Sequence, residues 1–168
     1  SLVLLPQAAE ALDIPVVGCG GFSDAKSLVA ALALGAEGIA MGTRFMATKE
    51  SLIHQNVKDK MTEADERSTN LMFRTMRNTA RVFKNTISDQ VVEIESTGTS
   101  TFEDVKDLVA GQRGRGVFEV GDLEAGIWSA GISVARVKDV PTCEELVSRL
   151  VSDAEAIMDG RLKEVRAS

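Results

Sequence analysis

Residues 16–45 read VVGCGGFSDAKSLVAALALGAEGIAMGTRF, and this stretch decides the fold. It holds parts of two apolar runs, 14–19 and 37–42, that are too short for helices and are therefore predicted to be buried strands. The residues between them, 25–34, have the apolar spacing of a helix. A strand, a tight turn, a helix and a second strand form the βαβ unit of a parallel sheet, so the sequence predicts an α/β fold.

Each predicted strand is followed by residues that have a small side chain or none. Gly20 and Gly21 follow the first strand, and Gly42 and Thr43 follow the second. Ligands of parallel α/β folds gather at the C-terminal ends of strands, where bare N–H groups and a helix N-terminus stabilise an anion by about 0.3–1 kcal/mol. The helix predicted to begin near Asp24 adds such a terminus. The two turns together predict a phosphate site, although each alone is also explained as a tight turn.

The other predicted elements are mostly helical. A helix over 2–12 precedes the first strand, and Ser23 or Asp24 is the expected N-cap and Gly35 the expected C′ residue of the helix between the strands. Downstream we predict a polar helix within 44–66 and two short helices over 86–98 and 101–112, the second with Thr101 and Asp104 as a capping box. A loop at 113–116 and an apolar helix over 122–137 follow. A final helix is expected from Pro141 and Thr142 to about 158, and the tail after it is expected to fray. Residues 68–85 are compatible with either strand or irregular structure.

Composition narrows the classes of function. The chain has 168 residues, a net charge of −6 and a pI near 4.9, which argues against a nucleic-acid partner. No apolar run approaches the roughly 20 residues of a membrane span, and no signal segment opens the chain. Cys19 and Cys143 form neither a disulfide framework nor a metal motif. A cytoplasmic protein without a membrane partner or a metal is expected, acting on a small-molecule substrate.

Several stretches resemble a known family. Residues 14–51, IPVVGCGGFSDAKSLVAALALGAEGIAMGTRFMATKES, resemble the C-terminal barrel segment of the nitronate monooxygenase family, also called 2-nitropropane dioxygenase-like FMN flavoproteins. Residues 64–85, residues 108–122 (LVAGQRGRGVFEVGD) and residues 126–131 (GIWSAG) are similar to the branch that contains bacterial NAD(P)H:quinone reductases. The resemblance covers nearly the whole chain and only the C-terminal portion of the family.

The resemblance implies a TIM-type (β/α)8 barrel with a mostly helical second domain inserted after the last barrel strand. Residues 1–48 would be the last βα units of the barrel, 49–140 the second domain, and 141–168 a C-terminal helix that returns to the barrel. Two parallel strands leave both edges and faces of a sheet open, so the missing strands are expected from chain preceding Ser1 or from a partner copy, as in a homodimer.

The resemblance also implies the site residues. Cys19, Gly20 and Gly21 would line the phosphate of FMN from one turn, and Gly42 and Thr43 from the other. Cys19 stands where relatives often carry Ser or Ala.

A second segment is implied to lie near the active site. Trp128 and Ser129 belong to a stretch that closes over the active site in relatives. The family's catalytic histidine belongs to a motif of the type Gly-x-Glu-Ala-Gly-Gly-His, which this sequence lacks. The only histidine, His54, lies in a predicted polar helix and is interpreted as a surface residue. The catalytic residue is therefore expected upstream of this chain.

The implied activity is flavin-dependent oxidation. FMN would be reduced by an alkyl nitronate and reoxidised by oxygen, as in a nitronate monooxygenase, or reduced by NAD(P)H and reoxidised by a quinone. An alternative of another class is a non-catalytic phosphate-binding or interaction module. Arginines occur in two further groups, which fit either an anionic ligand such as NAD(P)H or a solvated surface: Arg74, Arg77 and Arg81, and Arg113 and Arg115.

Overall fold

The computed structural model describes residues 2–165. The first part of the chain contains α1 (Leu4–Ala11), β1 (Val17–Cys19), α2 (Ala25–Ala33), β2 (Gly38–Ala40) and α3 (Thr43–Met46). The predicted helix–strand–helix–strand order is confirmed. The turns are also the expected ones, with Asp24 rather than Ser23 as the N-cap of α2 and Gly35 in the left-handed region at φ 90°.

The rest of the chain is helical apart from one hairpin. It contains α4 (Gln55–Thr62), β3 (Thr69–Met72), β4 (Ala80–Phe83), α5 (Thr86–Glu95), α6 (Phe102–Val105), α7 (Gly111–Val120), a 3₁₀ helix (Ile132–Arg136), α8 (Cys143–Asp159) and α9 (Arg161–Glu164). The predicted fraying of the tail is wrong for α9, while residues 166–168 lie outside the described residues.

The two strands of the βαβ unit pair in parallel. Val17 lies opposite Gly38, and Cys19 lies opposite Ala40. The helix between them is fixed by a capping box, because the Asp24 carboxylate accepts from the Ser27 N–H at 2.9 Å and the Ser27 hydroxyl accepts from the Asp24 N–H at 3.0 Å. The pairing brings the C-terminal ends of β1 and β2 side by side.

Residues 68–85, which the sequence left open, contain an antiparallel hairpin of β3 and β4. Met72 of β3 lies opposite Ala80 of β4. The far edge of β4 is continued by the segment around Trp128, because Val82 bridges Ser129 and the Phe83 N–H donates to the Trp128 carbonyl at 2.9 Å. The region predicted to be mostly helical therefore also contains a small sheet.

The helix predicted over 101–112 is confined to Phe102–Val105. Two further local predictions are wrong. Residues 113–116, RGRG, are not a loop but lie within α7. Residues 122–137 are not one helix but a turn at 123–126, a short extended segment and the 3₁₀ helix. Both errors have the same cause, since the glycines serve a close contact. A Cβ at Gly114 would lie 2.7 Å from the Ile127 carbonyl oxygen, and a Cβ at Gly126 would lie 2.6 Å from the Arg113 backbone.

The apolar side chains form separate clusters. The largest lies beneath β4 and α4 and includes Val57, Met61, Phe83, Trp128 and Val134. A smaller one joins α2 to α8 through Val29 and Ala154. The long C-terminal helix, capped by Thr142, thus packs on the helix of the βαβ unit.

Candidate functional site

The two glycine turns lie next to each other. Cys19 and Ala40, which end β1 and β2, are partners in the parallel pairing. Gly20 and Gly21 leave the first strand, and Gly42, two residues after Ala40, leads into α3. The sequence-based expectation that these strand ends adjoin is met by the geometry.

The space around the turns is open. Gly20 and Gly21 have φ of 89° and 88°, a region that strongly favours glycine, whereas Gly42 has φ of −83°. A Cβ at any of the three would have no atom of the described residues within 4 Å, apart from its chain neighbours. Within residues 2–165 the amides of Gly21, Gly42 and Thr43 donate no hydrogen bond to a protein carbonyl. Free N–H groups around an open space suit an anionic oxygen.

The N-terminus of α2 is less available to a ligand than the sequence suggested. The Asp24 carboxylate already accepts from the first turn of the helix and forms an ion pair with Arg136 at 2.7 Å. Burial alone would raise the pKa of Asp24, but the hydrogen bond from Ser27 and the nearby Arg136 hold this pKa below its usual value of 3.8. A fixed negative charge therefore occupies the helix end, and the turn amides must carry the contact with an anion.

Thr43 links the second turn to the GIWSAG segment. It begins α3, and its Oγ1 accepts a hydrogen bond from the Gly131 N–H at 2.9 Å. The hydroxyl proton remains available to donate, since the Gly131 amide uses only a lone pair of the oxygen. Residues 126–131 are thereby held beside the turn at 42–43.

Trp128 and Ser129 lie on this linked segment but differ in exposure. Trp128 is 2% exposed and stacks on Phe83, with ring centroids 4.3 Å apart and an interplanar angle of 8°. Its buried Nε1 has no hydrogen-bond partner among the described residues. Ser129 is exposed. The indole is thus part of the core, and Ser129 is the member of the pair that solvent or a ligand reaches.

Of the remaining sequence candidates, Cys19 adjoins the first turn, whereas His54 and Cys143 belong to other elements. His54 caps α4, its Nδ1 accepting from the Asn56 N–H at 3.1 Å, and its ring packs against Gly121. Cys19 is an exposed free thiol at the end of β1, and Cys143 is a partly buried free thiol at the start of α8. Among residues 2–165 no group of three or more His, Cys, Asp and Glu residues is arranged to hold a metal ion.

One charged cluster was missed by sequence reasoning. Arg44, only 3% exposed, contacts Asp139 at 2.6 Å, and Arg149 contacts the other carboxylate oxygen at 2.6 Å. The hydrogen bond from Arg149 and the charge of Arg44 lower the pKa of Asp139 despite its partial burial. Asp139 lies 95 positions after Arg44 and 10 positions before Arg149 in the chain, so no local spacing in the sequence indicates the cluster.

The comparisons with known proteins agree on one family. The family model described as nitronate monooxygenase matches residues 1–153. This chain belongs to the nitronate monooxygenase family. The family is named for an oxidoreductase activity. None of the described helices is long and apolar enough to cross a membrane.

Curated relatives extend over most of the chain. It is 29% identical to a 5-hydroxy-7a-methyl-1-oxo-octahydro-1H-indene-4-carboxyl-CoA dehydrogenase of Rhodococcus jostii, over 90% of this chain and 53% of that protein. It is also 29% identical to a probable nitronate monooxygenase of Bacillus subtilis, over 90% of this chain and 43% of that protein. The chain therefore spans about half the length of these relatives.

Solved structures show the same relation in three dimensions. The match to FabK from Thermotoga maritima has a TM-score of 0.89 at 26% identity and covers 98% of this chain and 51% of FabK. Nitroalkane oxidase from Streptomyces ansochromogenes matches 94% of this chain with a TM-score of 0.72 at 28% identity, using 44% of its length. The chain thus has the mixed α/β fold of about half of each of these proteins.

Proposed function

We propose that this chain supplies the phosphate-binding half of an FMN site in an oxidoreductase of the nitronate monooxygenase type. One observation carries the proposal: two open glycine turns with free amides adjoin at the ends of paired parallel strands. The turns fit a phosphate, because Gly20 and Gly21 leave room for its oxygens, Gly42 adds an unobstructed amide, and Thr43 adds a hydroxyl. Family membership supports the same conclusion.

The residues of the chain would bind and orient the flavin. The amides at the two turns would hold its phosphate, with Cys19 at the edge of the first turn, and the exposed Ser129 would lie on the segment beside the second turn. When bound, FMN supplies the electron chemistry, and the protein determines its position and surroundings. None of the described side chains near the turns is assigned as the catalytic base.

The proposed reaction is the oxidation of an alkyl nitronate with oxygen. The probable nitronate monooxygenase among the relatives and the nitroalkane oxidase among the structures support this choice. A second candidate is an NAD(P)H:quinone reductase with FMN. The resemblance of residues 64–85, 108–122 and 126–131 to the quinone-reductase branch supports it.

The test begins with the protein as its gene encodes it. Bound flavin gives an absorbance band in the blue, which anaerobic mixing with substrate bleaches when FMN is reduced. Bleaching by a nitronate and not by NADH supports the primary proposal, and the reverse supports the reductase. If the purified protein contains no flavin and binds none when FMN is added, both enzyme proposals are contradicted. The result would then support a non-catalytic module. The 168-residue chain alone is expected to bind FMN weakly and to turn over neither substrate.

A further inference from the structure

The first glycine turn leads into a carboxylate. Asp24 lies three residues after Gly21, and three residues span at most about 11 Å of chain. That distance is close to the Debye length of about 8–10 Å, so the charge of Asp24 acts on any anion held at the turn. An unpaired carboxylate at this position would therefore oppose the binding of a phosphate.

Arg136 neutralises this carboxylate. Its Nη2 and Nε donate to Asp24 Oδ2 at 2.7 Å and 3.1 Å. The other oxygen, Oδ1, accepts from the Ser27 N–H at 2.9 Å. Among residues 2–165 no other side chain forms an ion pair with Asp24, and this includes Lys26, two residues along α2. The charge balance at the start of α2 therefore depends on one arginine.

The other cations nearby are bound to other partners. A cavity of about 270 Å³ at the start of α2 is lined by both Asp24 and Arg136. The three further cations that line it are Arg44, Lys138 and Arg149. Both of these arginines contact Asp139 at 2.6 Å, and the lysine Nζ donates to the Ala64 carbonyl at 2.9 Å. None of the three can replace Arg136 without breaking one of these contacts.

A short helix holds Arg136 between the two turns. Gly131 precedes the 3₁₀ helix (Ile132–Arg136), and its N–H donates to Thr43 Oγ1 at 2.9 Å. Arg136 ends this helix of five residues, whose length is about 10 Å, and contacts Asp24. The start of the helix is thus bound to the second turn, and its end is bound to the residue that follows the first turn. These two contacts fix the position of Arg136 relative to both turns.

We infer that Arg136 is a positioning residue for the FMN phosphate. It acts through Asp24, because the pairing cancels the negative charge at the start of α2 and so allows the first turn to hold a phosphate. The inference rests on the proposed function, since this role exists only if the turns bind a phosphate. It predicts that the summed charge of residues 24 and 136, and not the ion pair as such, determines the affinity for phosphate.

The test compares FMN with riboflavin, which has the same ring system and no phosphate. Each is titrated into the protein as its gene encodes it, after bound flavin has been removed, and the change in flavin fluorescence gives each affinity. The ratio of the two affinities reports on the phosphate site, because effects on the binding of the ring cancel. We expect the wild-type protein to bind FMN at least tenfold more tightly than riboflavin.

Three variants change the charge of the pair. Arg136→Gln leaves Asp24 without its cation and should lower the affinity ratio at least threefold. Asp24→Asn removes the negative charge and keeps an oxygen that accepts from the Ser27 N–H, so it should raise the ratio at least threefold. In the double variant the summed charge is zero, as in the wild type, and the ratio should lie within twofold of the wild-type ratio.

Loss of folding is not expected to obscure these effects. The side chains of Arg136 and Asp24 are 60% and 31% exposed, and ion pairs on the surface contribute little to stability. The control Lys60→Gln removes a cation of α4 that is paired with Glu63 at 3.3 Å, and it should change the affinity ratio less than twofold. Circular dichroism checks that each variant is folded.

Failure of the inference is distinguishable from failure of the proposed function. Wild-type affinities for FMN and riboflavin within threefold of each other, or no binding of either, would contradict the proposed function and the inference with it. A wild-type preference for FMN that Arg136→Gln lowers by less than threefold would overturn the inference alone. A ratio that does not rise in Asp24→Asn, or that falls more than twofold in the double variant, would also overturn it, because the pair would then not act through its charge.

Discussion

Trp128 joins the core to the segment beside the second glycine turn. It lies between Phe83, stacked at 4.3 Å, and Phe118, which meets it edge-on at 6.5 Å. Aromatic pairs in these geometries contribute about 0.5–1.5 kcal/mol each beyond burial. The unpaired indole N–H has the opposite effect, since a buried donor without a partner costs about 1–3 kcal/mol.

Replacing Trp128 should therefore have effects that depend on the substitute. Trp128→Ala is expected to lower the free energy of unfolding by about 3–5 kcal/mol, because it empties the centre of the largest cluster. Trp128→Phe keeps much of the ring and removes the unpaired N–H, so its loss should be clearly smaller. Urea unfolding followed by circular dichroism measures both. Equal losses in the two variants would contradict the view that the ring packs while the N–H destabilises.

The Arg44–Asp139–Arg149 cluster predicts a dependence of stability on pH. Asp139→Asn leaves the buried Arg44 without its charge partner, and we expect a loss of about 1–3 kcal/mol at pH 7. This is less than the roughly 3–5 kcal/mol of a fully buried pair, because the Asp139 side chain is 45% exposed.

The direction with pH follows from the lowered pKa of Asp139. A carboxylate with a lowered pKa in the folded state stabilises the fold above its usual value of 3.8, and this contribution is lost as the pH falls below that value. The difference between wild type and Asp139→Asn should therefore be constant from pH 7 to about pH 5 and shrink below pH 4. Chemical denaturation at several pH values measures it, and a difference that grows on acidification would refute the assignment.

At the scale of elements, helix α7 shows how a contact overrides local preference. Its sequence GQRGRG suggests flexibility, yet the helix forms and crosses closely over the chain at Ile127. Gly114 lies at the crossing, whereas Gly116 on the same helix has only the Ala125 Cβ at 4.0 Å from its own Cβ position.

These two glycines form a matched pair for mutation. In an unobstructed helix interior, alanine is about 1 kcal/mol more favourable than glycine. We expect Gly116→Ala to raise the free energy of unfolding by up to about 1 kcal/mol. Gly114→Ala should lower it, because the new Cβ would lie 2.7 Å from the Ile127 carbonyl oxygen. Thermal unfolding of the two variants decides the point, and a stabilising Gly114→Ala would show that the crossing is not tight.

The elements that the sequence predicted correctly are those with local signals. The helices capped by Asp24, Thr101 and Thr142 begin at those residues, because a capping box involves only positions three apart. The hairpin within 68–85 was left open and the extended chain near Ser129 was not predicted, since Val82 and Ser129 pair across 47 positions. Contacts at that separation leave no periodicity to detect.

At the scale of the whole molecule, the adjoining turns were predictable and their surroundings were not. Parallel pairing follows from the βαβ order, so the ends of β1 and β2 had to meet. The charge of Asp24 at the helix end is stabilised by Ser27, three positions away, and also by Arg136, 112 positions away. The link from Thr43 to Gly131 likewise joins segments 88 positions apart. Contacts between distant parts of the chain thus help to place a negative charge at the start of α2 and leave the backbone amides of the turns to contact an anion.

The parallel sheet has only two strands within residues 2–165, and an apolar surface borders it. Beside β1 a cavity is lined mostly by apolar residues, among them Leu4, Leu5, Val17 and Phe22. Val17 is 54% exposed, which is unusual for a strand residue of this type in an α/β fold. This surface lies on the first strand of the βαβ unit.

The most direct test of the central claim is the flavin content of Gly42→Val. A Cβ at residue 42 would have no described atom within 4 Å apart from its chain neighbours, and the φ of −83° there suits a side chain, so nothing in the described part of the chain opposes the substitution. The control Gly111→Val is equally unobstructed and lies in α7. Measured on the protein as its gene encodes it, flavin per protein should fall at least tenfold in Gly42→Val and stay unchanged in Gly111→Val, with unfolding free energies within about 0.5 kcal/mol of wild type. Full flavin content in Gly42→Val would contradict the claim that the two turns hold the phosphate.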